Sequence, residues 1–136
     1  MEIKETFEYQ FSFTQEDVDS FARVTGDDNP IHIDEELAAK SIFKKRIIHG
    51  FLSGSVFSKV FGTIWPGNGT IYLSQTMNFM KPMYTTEKYL AKFEVIEIMP
   101  KNKYWVKTNI TDENNENTIE GKALIKYDDI PAPHSI

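Results

Sequence analysis

The chain of 136 residues contains no cysteine. That excludes disulfides, thiolate metal sites and a cysteine nucleophile. Positive charge is also scarce: 15 Lys and Arg against 20 Asp and Glu leave a formal net charge of −5. A general nucleic-acid binder is more often basic, so this balance argues against that class. Long apolar runs are missing too. The most apolar stretch, 47–64, is broken by His49, Lys59 and several Ser and Gly, which makes it a poor membrane span. The opening Met1-Glu2-Ile3-Lys4-Glu5 has no apolar core of a secretion signal. The expectation is a cytoplasmic protein with neither nucleic-acid nor membrane partners. A phosphate-cradling glycine loop is absent, and Ser53 and Ser55 lack the G-x-S-x-G setting of a nucleophilic serine. The three histidines, at 32, 49 and 134, have no zinc-like spacing, so no metal is expected.

What is present suits one folded domain. The apolar fraction is 40%, the aromatic fraction 13%, and there are 10 Phe, enough for a core. Residues 7–13 alternate aromatic and polar, the pattern of a strand with one buried face. Thr14 then offers an N-cap, with Asp17 placed for a capping box. Val18, Phe21, Ala22 and Thr25 follow at helical spacing, and Gly26 closes a helix over 15–25. Asp34 can cap a short helix over 35–40 with Leu37 and Ala38 turned inward. From Gly50 to about Ile64 the chain is apolar on most sides, which predicts a buried helix. Trp65-Pro66-Gly67-Asn68-Gly69 ends it. Strands are expected at 70–80, 88–99, 103–112 and 117–127, with a loosely held tail from about 128. The order predicts an α+β fold, an antiparallel sheet wrapped around one long helix. An exposed sheet edge would then need a second copy of the chain.

One stretch gathers chemistry: Val24-Thr25-Gly26-Asp27-Asp28-Asn29-Pro30-Ile31-His32. Pro30 fixes its own φ and pushes Asn29 towards extended backbone, so the segment reads as a stiff loop. Asp27 and His32 would converge there as an acid–base pair on one water. The spacing alone favours a capping aspartate and a structurally bonded histidine, because isolated Asp–His pairs are common. Asn29 can orient a water, or simply make an Asx turn before proline. Downstream, Gly50 stands where a buried helix begins. Its free amide can stabilise an oxyanion, or the glycine can merely allow a tight start. His49 has no partner visible in the sequence and reads as structural. Lys44-Lys45-Arg46 and Lys81 read as solvated charge, with contact to substrate phosphates as the alternative.

At these residues the sequence resembles the MaoC-like dehydratases, specifically the (R)-specific enoyl-CoA hydratases. The family pattern runs from an aromatic at Phe21 through Gly26-Asp27-x-Asn29-Pro30-Ile31-His32 to Ala38, and each specified position is filled. His49-Gly50-Phe51-Leu52, 69–75 and 79–82 resemble further family segments, so the likeness spans about 7–127. The resemblance implies a single hot-dog fold, a homodimer, and a trans-2-enoyl thioester substrate on coenzyme A or acyl-carrier protein. It implies Asp27, His32, Asn29 and the Gly50 amide as catalytic groups, with Lys81, Phe51 and Ser53 at the substrate. No metal or redox cofactor is needed for that chemistry. Bulky Phe51, Phe57, Phe61 and Met80 are expected to shorten the acyl pocket. A hot-dog thioesterase and a non-catalytic acyl-thioester binding module are the other readings of such a fold.

Overall fold

The computed structural model describes residues 1–128; the tail expected beyond Asp128 lies outside the described residues. In chain order the elements are β1 (Thr6–Phe11), α1 (Gln15–Thr25), α2 (Pro30–Ile33), α3 (Glu35–Ala39), α4 (Gly50–Thr63), β2 (Thr70–Phe79), β3 (Tyr89–Met99), β4 (Lys103–Thr111) and β5 (Asn117–Tyr127). All five strands form one sheet in the order β1-β3-β4-β5-β2, antiparallel throughout. β3 to β5 follow one another as hairpins, while β1 and β2 take the two edges.

The core lies between the sheet and α4. β3 shows why the sheet has one wet face and one dry face. Tyr89, Ala91, Phe93 and Val95 point inward at period two and are buried. Phe93 is the hub: Phe57 and Phe61 of α4 meet it edge-on at centroid distances of 5.7 and 5.3 Å. Phe7 and Trp65 close the same cluster at 6.2 and 5.9 Å. Burying each such ring stabilises by roughly 1.5–3 kcal/mol, before edge-to-face geometry adds its share. A long helix set against a curled antiparallel sheet is the hot-dog fold.

α1 forms as its caps predict. Thr14 accepts from the Asp17 amide at 3.1 Å, the Asp17 carboxylate accepts from the Thr14 amide at 2.9 Å, and Gly26 ends the helix at φ 80°. Three expectations are corrected. Residues 30–33, read as part of a stiff loop, are a helical turn: Pro30 sits at the first helical position, where its missing N–H costs nothing, while Asn29 keeps the extended ψ of 126° that a following proline favours. Leu37 is 44% exposed, because the five-residue α3 turns only Ala38 into the core. α4 is not buried all round. The sheet covers Leu52, Val56, Phe57, Val60 and Phe61, but Phe51, Ser55 and Lys59 lie on an open strip. One chain has no second layer to cover that strip. Among the described residues no helix is long and apolar enough to cross a membrane.

Small residues set the closest approaches. Gly54 of α4 lies against the Met77 sulfur, and Gly121 of β5 lies against the Thr76 carbonyl of β2. The second neighbour is backbone and cannot swing away. Gly121→Ala is therefore expected to destabilise the fold by about 2 kcal/mol or more, read as a lower urea midpoint at unchanged slope. An unchanged midpoint would show that β2 can move off β5 at little cost.

Candidate active site

The side chains that could do chemistry are brought together by three short segments. The first is the end of α1. Thr25 Oγ donates to the Phe21 carbonyl at 2.8 Å and accepts from the Asp27 amide at 3.1 Å, which sets the direction of the chain past Gly26. The second is α2. Asn29 Oδ1 accepts from the Ile31 amide at 3.2 Å and so caps the turn that carries His32. The third is 46–50. Ile48 donates to the Met83 carbonyl at 2.8 Å, which fastens this segment to the chain after β2.

The segments are then cross-linked. His32 Nδ1–H donates to the Ile47 carbonyl at 2.8 Å, and the Ile47 amide donates to the Ile31 carbonyl at 3.3 Å. A carbonyl can only accept, so Nδ1 carries the proton and Nε2 is left with its lone pair. His49 Nε2–H donates to the Asp27 carbonyl at 2.9 Å. Its ring stacks on His32 at a centroid distance of 3.8 Å and leans on Phe21 at 4.8 Å. Gln15 of α1 adds a further tie, its amide donating to the His32 carbonyl at 2.8 Å.

Asp27, His32 and His49 consequently offer one donor atom each, all within 4.8 Å of one another. One water can span such a gap, since each leg of the bridge is about 2.8 Å. The two imidazoles lie face to face, 26° apart. Burial pushes the His32 pKa below its ordinary 6.5, against the hydrogen bond to Ile47, which pulls it up; His49 opposes and Asp27 favours the charged form more weakly. The ring is thus kept neutral and able to accept a proton at neutral pH.

These groups face a cavity of about 640 Å³. Asp27, His32, His49, Gly50 and Ser53 supply its polar wall, and Phe21, Phe43, Phe51, Phe79 and Met83 much of its apolar one. Gly50 is the first residue of α4, and the first intrahelical bond is donated by Ser53 to the His49 carbonyl. The Gly50 amide is therefore free of the helix and carries part of its positive end. A Cβ at Gly50 would sit 2.7 Å from the Phe79 ring, so the missing side chain lets that ring roof the helix start.

The structure brings Asp27, His32, Gly50, Phe51 and Ser53 to one cavity, and treats the other expected site residues differently. Asn29 is not on the cavity wall; it caps the turn beneath His32. Lys81 lines the cavity, but its ammonium is held by Asp112 and Glu116 at 3.1 and 3.2 Å. Phe57 and Phe61 pack under Phe93 instead of lining the cavity, and of the four bulky residues only Phe51 and Met80 stand on its wall. Lys45 pairs with Glu87 at 3.5 Å and covers the Tyr84 ring. His49 does have a partner, 22 positions away, and Gln15 reaches 17 positions to His32. No local pattern signals either contact.

Fold and site together define a hot-dog protein with a carboxylate, a neutral imidazole and a helix amide at one apolar cavity. Comparison with known proteins agrees: the model of the MaoC like domain matches residues 2–117. The chain belongs to this family. It is 39% identical over 110 residues to a 3-hydroxybutyryl-CoA dehydratase of Methylorubrum extorquens, covering 81% of this chain and 70% of that one. It is 36% identical over 115 residues to a mitochondrial 3-hydroxyacyl-[acyl-carrier-protein] dehydratase of Arabidopsis thaliana, covering 82% and 68%. Among solved structures, an (R)-hydratase from A. caviae involved in PHA biosynthesis superposes with a TM-score of 0.91 at 30% identity, covering 94% of this chain and 98% of that one.

The buried ring yields a direct expectation. A nuclear magnetic resonance titration should place the His32 midpoint below 6.5. A midpoint at or above that value would mean that water reaches the ring and that burial does not govern its charge.

Proposed function

We propose that the protein is a hydro-lyase that adds water reversibly across trans-2-enoyl thioesters to give (R)-3-hydroxyacyl thioesters. The observation that carries this reading is the meeting of Asp27, His32 and Gly50, the first residue of α4, at one cavity. The thioester oxygen lies on the Gly50 amide, which places C2 and C3 beside the water held between Asp27 and His32. His32 Nε2 takes a proton as the water oxygen bonds to C3. The C2–C3 π pair moves towards the thioester oxygen, where the helix amide stabilises the charge. The pair returns as C2 takes the proton back from the imidazolium, so one water supplies both new substituents. Asp27 accepts a hydrogen bond from the other O–H of that water, which stays on the oxygen as the product hydroxyl, and favours the charged ring. Asn29 contributes by holding the turn under His32.

Phe51 and Ser53 form walls for the acyl thioester. The stem of Lys81 lines the channel for the carrier while its charge stays with Asp112 and Glu116. Relatives named for coenzyme A and for acyl-carrier protein support a thioester on either carrier. A short trans-2-enoyl-CoA tests the reading: its conjugated absorbance should fall without thiol release. Asp27→Asn and His32→Ala should each lower turnover by about 100-fold or more while the fold persists. Thiol release in place of hydration would identify a thioesterase, and no reaction with either carrier would identify a binding module.

The same reading includes a homodimer. β2 is an edge strand of ten residues, Thr70–Phe79, with no charged residue and no proline. Ile71, Leu73 and Phe79 are exposed on it. Natural edges that stay single are blunted by charge, proline or brevity. This one is built to pair with its own copy about a twofold axis, which would also cover the open strip of α4. Sedimentation should show a dimer at micromolar concentration, and Leu73→Glu should shift it towards monomer. A parent protein sedimenting as a monomer would overturn this assignment.

A further inference from the structure

The mechanism above leaves two polar atoms of the cavity wall unused. His49 Nδ1 and Ser53 Oγ are buried, 2% and 1% exposed by residue, and neither has a hydrogen-bond partner among the described residues. Burying an unpaired polar group costs about 1–3 kcal/mol, so such groups usually have work elsewhere. The two atoms do not bond each other. They also differ in kind. His49 has committed its only N–H to the Asp27 carbonyl, so Nδ1 can only accept. Ser53 has an uncommitted O–H.

The position of that hydroxyl follows from helix geometry. Ser53 stands three residues after Gly50 in the 14-residue α4, so the two share one face. Side chains on a helix lean towards its N-terminus, over the preceding turn. The Ser53 hydroxyl therefore lies over the turn that begins with Gly50, and both residues line the same cavity. The hydroxyl rotates freely about its bond and can follow an oxygen placed on the Gly50 amide.

We propose that the Ser53 hydroxyl is the second donor to the thioester oxygen, completing with the Gly50 amide a two-donor oxyanion site. The assignment rests on the hydratase reading and names the substrate atom that Ser53 meets. It makes Ser53 a catalytic residue: its bond strengthens as charge moves onto oxygen and is weak to the neutral ground-state carbonyl. The hydroxyl remains unpaired in the empty cavity because its partner arrives with the substrate.

Ser53→Ala tests this, measured with a short trans-2-enoyl-CoA beside the parent protein. Loss of one oxyanion donor should lower kcat by about 100-fold. KM should stay within about threefold, because the lost interaction belongs to the transition state. Thermal stability should not fall, since the hydroxyl has no partner to lose. Ser53→Thr, which keeps a hydroxyl, should recover part of kcat. An active parent with Ser53→Ala at the parental kcat would overturn the Ser53 assignment alone. A fall in kcat matched by a fall in stability and not recovered by threonine would assign Ser53 a packing role and overturn it too. A parent protein that hydrates no enoyl thioester would overturn both this assignment and the reading beneath it.

Discussion

The hydrogen bond from His32 Nδ1 to the Ile47 carbonyl is the constraint on which the site depends. It joins the turn after α1 to the segment leading into α4, two parts of the chain that share no regular element. It also decides which nitrogen of the ring is protonated, so the lone pair faces the cavity. Without it the imidazole would be free to rotate, and the free nitrogen would have no fixed direction. The return bond from the Ile47 amide to Ile31 makes this a two-point clamp, and the clamp aligns the donor and acceptor walls of one cavity.

His49 extends that clamp. Its N–H holds the Asp27 carbonyl, and its face holds the His32 ring. A second imidazole pressed against the first supplies packing without a competing hydrogen bond. Burial then keeps His32 neutral in the resting site. The same burial raises the worth of every dipole aimed into the cavity, because little water screens it. An acid–base pair on an exposed loop and a helix amide in solution would each be weak. Here Asp27 remains exposed while His32 is buried, and both line one cavity with Gly50.

Much of this was legible along the chain. The capping box at Thr14 and Asp17, the αL stop at Gly26 and the alternation in β3 are rules of local geometry, and the structure follows them. The resemblance carried by Gly26 to His32 and Ala38 pointed to the family that the MaoC like domain match shows. Where reading failed, the cause lay beyond the local window. The stretch from Gly26 to His32 read as one stiff loop because Pro30 restrains it, yet proline is also well suited to start a helix, and residues 30–33 form a helical turn. Leu37 and the outer strip of α4 looked buried because apolar pattern reports what could be covered and not what covers it. Phe57 and Phe61 looked like pocket walls, but the aromatic hub at Phe93 claimed them.

The sequence by itself determined every strand, the order of the elements, the helices other than the turn at 30–33, the greasy helix at the centre, and the spacing that holds Asp27 near His32. Those properties arise from backbone preferences and hydrophobic period, which act over a few residues. Only the tertiary structure decided that His49 would reach Asp27, that Gln15 would reach His32, that Lys81 would be held by Asp112 and Glu116, and that Ser53 would be buried unpaired. Contacts of that kind depend on where the sheet and α4 come to rest against each other. Their partners are far apart in the chain, and no local rule of charge, propensity or period ties them together.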